Sequence, residues 1–486
     1  MASAIVVGAT GILGREIVKE LSRNPEEWTT IYALSRSKKD EYPSNVVHKH
    51  IDLLSSSDQM AKDLQGVEAE YIFFAAYLQK DTEQENWEVN GDMLSNFLTS
   101  LQHTKTKRIL LVTGAKQYGV HLGPPKKPLL ESDPWLPTPP YPPNFYYRQQ
   151  TILHTFCHAH PGIHWTVTYP NDVIGFATGN FMNLTTAVGL YAAITHELNQ
   201  TQTSHQPPNQ TQTTPQTTTT PPKGGSPLPF PGSPTFYTSL DTFTSAALHA
   251  QFSLWAIRAP RAADQAFNVV NGDAQSWMEL WPRVARRFGM VVPKDQFQAG
   301  VGARGVAAVG GASGAGGGVD VSGAVSSGVG GGGVSGGVSG GVGGDVSGGV
   351  SGGVSGGVRA GEGCEGRTEL GATPPLSAVA EEAGLVGAAV VKGGVLEQRV
   401  SLEKWSRKGE VREAWERLAE REGLRREAFE QATWAFADFV LGRNYDIVQS
   451  MSKARAAGWT GYKDTWEAFS EVFDELEEAK VLHKIR

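Results

Sequence analysis

Short apolar runs recur through the first third of the chain, at residues 5–7, 30–34, 46–53, 69–76, 108–113 and 164–169, separated by stretches with apolar residues at helical spacing. Runs of this length, continuous rather than alternating, predict strands covered on both faces. Their alternation with helices predicts βαβ units and a parallel sheet. Because such crossovers are right-handed, the expected architecture is an α/β, doubly wound Rossmann-type sheet whose ligand crevice lies at the carboxyl ends of the strands. The far end of the chain reads differently. Residues 396–486 are helical in pattern and rich in tryptophan, with Trp405, Trp415, Trp434, Trp459 and Trp466. Within them, Trp434, Phe436, Phe439 and Val440 recur at helical spacing. They fit either a hydrophobic core or the lining of an apolar pocket between a helical cap and the sheet.

Composition adds two interruptions. Much of the total of 57 glycines falls in a Gly/Val/Ser block at 300–366, and residues 199–226 are rich in Thr, Gln and Pro. Neither has the large apolar side chains that offset the entropy of ordering a backbone, so both are expected to be disordered inserts. The resulting division is a Rossmann domain at 1–198, the first insert at 199–226, and the remainder of core and cap at 227–298. The second insert and its flank occupy 299–395, and a helical cap follows at 396–486.

A net charge of −7 gives no basic footprint for nucleic acid. Only Cys157 and Cys364 are present, which excludes a disulfide framework and favours a reducing compartment. No apolar stretch approaches the roughly 20 residues that span a bilayer, and the first residues do not read as a signal peptide. The expectation is a soluble cytoplasmic protein with no membrane association; a homodimer is left open.

Chemistry is concentrated in a few places. The first strand runs into Gly8-Ala9-Thr10-Gly11-Ile12-Leu13-Gly14, and a helical pattern follows from Arg15. Glycines so spaced let a backbone turn tightly, approach a pyrophosphate and pack a helix close to a strand, with the phosphates at the positive end of the helix dipole. Arg36 follows the second strand, where NAD-preferring folds usually place a carboxylate. A guanidinium there suits a 2′-phosphate, so NADP (NADPH) is favoured over NAD. The expected cofactor contacts are Gly8, Thr10, Gly11, Ile12, Gly14, Ser35, Arg36, Asp52 and Leu53, with Asp52 reading equally as an ordinary strand-end residue. His154, His158 and His160 read as an exposed helix end, and no metal is expected.

Two further motifs are Thr113-Gly114-Ala115-Lys116-Gln117-Tyr118 after the fifth strand and Asn144-Phe145-Tyr146-Tyr147 at a helix start preceded by Pro142-Pro143. Gln150 and Thr151 stand four residues after the two tyrosines, so the Tyr-to-Lys spacing of ordinary short-chain dehydrogenases is absent. The combination resembles the progesterone 5β-reductase and iridoid synthase-like (PRISE-like) branch of the short-chain dehydrogenases, with its TGxKHY-type and NFYY motifs. Residues 165–175, 180–184, 266–273 and 433–466 also resemble it. Gln117 departs from the family's usual His, Gly123-Pro124-Pro125 from its GPF element, and Tyr169 from the Arg often found before the proline.

The resemblance implies reduction of the C=C bond of a conjugated enone or enal, with an apolar small-molecule substrate. It puts the catalytic lysine on Lys116, which could also hold the nicotinamide ribose, and the catalytic tyrosine on Tyr147, both of them also expected cofactor contacts, with Tyr146 as the alternative proton donor. Hydride addition at the β-carbon gathers charge on oxygen, where a phenol and an ammonium stabilise it. Other readings are a non-catalytic NADP-binding sensor or scaffold, and a carbonyl reductase or epimerase of the wider family. Read singly, Lys116 is a strand cap and the tyrosines are core aromatics.

Overall fold

The computed structural model describes residues 2–37, 41–179, 182–204, 225–298, 364–385 and 391–484. Its centre is a parallel sheet of strands β1 (Ala2–Val7), β2 (Trp28–Ser35), β3 (Val46–His50), β4 (Tyr71–Phe74), β5 (Arg108–Val112), β6 (His164–Pro170) and β7 (Gln265–Val269). The order is β7-β6-β5-β4-β1-β2-β3, so the chain reverses direction across the sheet between β1 and β4. Such a reversal opens a crevice at the carboxyl ends of the strands. Ala4, Val6 and Phe73 pack on one face and Ile5, Val7 and Ile72 on the other, which is why these strands read as unbroken apolar runs.

Helices α1 (Ile12–Ser22), α2 (Ser57–Asp63), α3 (Glu83–Ser100), α4 (Phe145–Ala159) and α5 (Leu184–Ser204) follow β1, β3, β4, β5 and β6. Their starts are fixed locally. Thr82 and Glu85 form a reciprocal capping box on α3, and Asn144 accepts the Tyr146 amide at the head of α4. Helix α5 continues to Ser204, into the stretch expected to be insert from 199.

The helical C-terminal part forms its own core with α5. Trp405, Trp415, Trp434, Phe469 and Phe473 pack there with Trp277 and Trp281, and Phe436 and Phe439 pack against them. The aromatic residues at helical spacing are therefore core, while Trp459 joins the sheet-side core.

Part of the 299–395 stretch is built into the fold. Gly366–Glu369 pairs antiparallel with Val395–Gln398. Beyond it, Tyr141 donates to the Pro374 carbonyl at 3.0 Å and the Leu376 amide donates to the Pro124 carbonyl at 3.1 Å. This flank differs from the glycine repeat in carrying Leu370, Pro374, Pro375 and Leu376, side chains able to cover a neighbour. The repeat itself, most of the first insert, Lys38, Lys39 and the Asn180-Phe181 pair lie outside the described residues. Both cysteines are buried, and no disulfide forms among the described residues. Among the described residues no helix is long and apolar enough to cross a membrane.

Candidate active site

The glycine turn sits where the sequence puts it, between β1 and α1. The Gly8 and Ala9 amides both donate to the Leu34 carbonyl, tying the turn to the end of β2. Gly8 has φ +80°, and a Cβ there would stand 2.7 Å from the Ala75 carbonyl oxygen. At Gly14 a Cβ would stand 2.1 Å from the Gly8 carbonyl oxygen, so helix and turn touch only because no side chain intervenes. Gly11 caps α1 without a side-chain hydrogen bond, and no acidic residue lies in the first turn. An uncapped helix start with a positive end, reached by a backbone free of side chains, fits a pyrophosphate.

Arg36 is exposed immediately beyond β2, beside that turn. Ser35 is buried, with its hydroxyl donating to the Ser37 carbonyl at 2.9 Å and lying 3.0 Å from His48 Nε2. Asp52 accepts the Leu54 amide at 3.1 Å, so one of its carboxylate oxygens shapes the turn after β3. Leu53 packs against the core under β3, Ile12 is buried against Ala177 and Ala246, and Thr10 is half-buried.

Lys116 lies in the short 3-10 turn Ala115–Tyr118 that leaves β5. Its ammonium donates to both carboxylate oxygens of Glu83, at 2.7 and 2.6 Å, and lies 5.2 Å from the centre of the Phe145 ring. Burial pushes the Lys116 pKa down, and the Glu83 carboxylate opposes that. The turn is tied to α4 by Asn144, whose amide donates to the Lys116 carbonyl at 2.8 Å. Asn144 therefore both caps α4 and fixes the backbone that carries the lysine.

The two tyrosines diverge. Tyr147 donates to the Gln117 carbonyl at 2.8 Å and accepts the Leu136 amide at 3.0 Å, and its ring stacks on Trp135 at 4.6 Å. Its proton is thus committed to the protein backbone. No hydrogen bond joins it to Lys116 among the described residues. The Tyr146 hydroxyl instead lies over Gly114, where a Cβ would stand 3.1 Å from it and 3.4 Å from the Pro170 carbonyl oxygen. It therefore occupies the carboxyl ends of β5 and β6, and it makes no hydrogen bond with another described residue. Burial pushes its pKa up, with the Glu83 charge adding to the shift.

Several contributors have no local signature in the sequence. Glu83 reaches Lys116 from the first turn of α3, and His121 Nε2 lies 4.0 Å from the same carboxylate. Tyr77 stacks on Phe145 at 5.2 Å. Two of the positions that depart from the family pattern, Tyr169 and Gln117, are linked through Gln150: Tyr169 donates to Gln150 Oε1 at 2.7 Å, and Gln150 Nε2 donates to Gln117 Oε1 at 2.8 Å. All three side chains are buried, so this chain is internal scaffolding rather than an open binding surface.

Residues 4–218 match a family model described as a PRISE-like Rossmann-fold domain. An uncharacterised protein of Schizosaccharomyces pombe is 34% identical, over 98% of this chain and 97% of its own length. An (S)-8-oxocitronellyl enol synthase of Nepeta cataria is 30% identical over 59% of this chain and 69% of its own. A 3-oxo-Delta(4,5)-steroid 5-beta-reductase of Arabidopsis thaliana is 28% identical over the same shares.

Proposed function

The chain belongs to the PRISE-like Rossmann-fold family, and on that premise we propose that it is an NADPH-dependent reductase acting on the C=C bond of an apolar conjugated enone or enal. The observation that carries this reading is the Tyr146 hydroxyl, without a hydrogen-bond partner among the described residues, at the carboxyl ends of β5 and β6, with Lys116 on the adjoining turn paired to Glu83 of α3. The relatives named as an enol synthase and a steroid 5β-reductase support the same chemistry.

When bound, NADPH supplies the hydride. The glycine turn and the uncapped start of α1 would hold its pyrophosphate, and Arg36 would pair with its 2′-phosphate. As the β-carbon of the substrate gains its hydride, the electron pair of the C=C bond moves toward the carbonyl and leaves an enolate oxygen. Tyr146 donates a hydrogen bond, and then its proton, to that oxygen; the enol so formed tautomerises to the saturated carbonyl, and the tyrosinate takes a proton back from water. A donor already aimed where charge develops stabilises the transition state more than the ground state. The Lys116 ammonium adds positive potential close by, and Asn144 keeps the lysine turn and the head of α4 in one geometry. Tyr147 has a different task, locking the Gln117 backbone to the loop at Leu136.

The test is incubation of the purified protein with NADPH and a panel of enones and enals, following nicotinamide absorbance and product mass. Consumption of NADPH with a product two mass units heavier, its carbonyl retained, is expected. No turnover of any member would count against the reading.

A further inference from the structure

The ion pair between Glu83 and Lys116 has a geometry that ordinary surface pairing does not need. Both Glu83 oxygens are engaged by one ammonium, and the two side chains are only 28% and 18% exposed. Glu83 stands in the first turn of α3, whose start the Thr82–Glu85 capping box fixes and where helix amides favour a negative charge. The groups packed around the pair come from separate elements. Tyr77 lies beyond β4, Phe145 and Tyr146 lie on α4, and His121 follows the lysine turn. His121 has a buried Nδ1 without a hydrogen-bond partner. Burial and the nearby Lys116 both hold the imidazole far below its usual pKa, so it is neutral and cannot take over the pairing of Glu83.

We propose that Glu83 is a positioning residue of this site: it clamps Lys116 as an ammonium beside Phe145, on the turn tied to the head of α4, so that the charge needed at the developing enolate is kept in a half-dry environment. The proposal rests on the reductase reading for its purpose, but the clamp itself can be measured without turnover. Among the described groups around Lys116, Glu83 alone opposes the desolvation of its ammonium, and burial keeps Tyr77, Tyr146 and His121 uncharged. Without Glu83 the amine loses its proton more easily. An opposite charge at hydrogen-bonding distance typically changes a pKa by about 1–3.

The experiment is competitive acetylation of the cofactor-free protein with a trace of acetic anhydride across a pH series, reading the Lys116 peptide by mass spectrometry. In Glu83→Gln the midpoint of Lys116 reactivity should fall by about one pH unit or more relative to wild type. Glu83→Asp, which keeps the charge on a shorter arm, should lie between them. Circular dichroism checks the fold, and if Glu83→Gln does not fold, Glu83→Asp against wild type carries the comparison. An unchanged midpoint in the folded variants would overturn the clamp. In a second arm, with NADPH and 2-cyclohexen-1-one, the alkaline limb of kcat should move down by the same amount in Glu83→Gln. Absence of turnover in the wild type would count against the reductase reading, while the labelling midpoints would still decide the clamp.

Discussion

The Tyr147 hydroxyl donates to the Gln117 carbonyl at 2.8 Å, from the residue next to Lys116, and also accepts the Leu136 amide. Tyr146, one residue earlier, turns its hydroxyl over Gly114 instead. Successive residues on a helix point about 100° apart, so the two adjacent hydroxyls meet different surroundings.

The first prediction separates them. Tyr147→Phe leaves a buried carbonyl and an amide without their partner, so stability should fall by about 1–3 kcal/mol while turnover of an enone changes only a few-fold. Tyr146→Phe removes no hydrogen bond found among the described residues, so its melting temperature should stay near wild type while kcat falls by about 100-fold or more. Thermal melts and steady-state kinetics on both variants check this; the reverse pattern would restore Tyr147 as the donor.

Arg36 provides the second. It is exposed beside the glycine turn, free to meet a 2′-phosphate. A charge-assisted bond of about 1.5–3 kcal/mol corresponds to roughly a tenfold to hundredfold change in affinity. Arg36→Ala should therefore weaken NADPH binding by that factor and leave NADH binding unchanged, as read by nicotinamide fluorescence titration.

The third concerns Gly14. A methyl group there would sit 2.1 Å from the Gly8 carbonyl oxygen, a backbone atom that cannot swing away. Gly14→Ala should force α1 away from the turn, lowering the melting temperature by several degrees and abolishing measurable NADPH binding.

The fourth concerns the second insert. Cys364 is buried and its carbonyl accepts the Ser401 amide at 2.7 Å, while Pro375 lies against Gly119 and Leu136. Excising residues 300–361 through a short linker should leave the melting temperature within a few degrees of wild type, because the glycine repeat has nothing large to bury. Extending the excision to 379 should lower it markedly, since that removes the strand at Gly366–Glu369 and uncovers the loop after Lys116.

Much of the fold was legible because parallel strands covered on both faces read as near-continuous apolar runs. The runs containing Ile72–Phe74 and Ile109–Leu111 leave little else to be read. The glycine turn was legible for a steric reason, since Gly8 and Gly14 are glycines that their contacts require. Lys116 was legible through its motif. Its partner was not, because Glu83 lies 33 residues earlier and reaches it through the packing of α3 beside the lysine turn. The choice between Tyr146 and Tyr147 depends on the rotation of α4, which Asn144 sets and which a motif of four letters cannot express. The link from Tyr169 through Gln150 to Gln117 likewise joins three elements with no shared local pattern. The ordered flank at 364–385 was hidden by averaging it with the repeat it adjoins.

The most direct measurement of the central claim is the fate of a labelled hydride. The protein is incubated with 2-cyclohexen-1-one or a linear enal and NADPH deuterated at C4, each face in turn, and the product is read by NMR. The account predicts a saturated carbonyl product carrying deuterium on the former β-carbon, formed by wild type and lost in Tyr146→Phe. Deuterium on the carbonyl carbon of an allylic alcohol would contradict it, as would NADPH binding with no transfer to any acceptor.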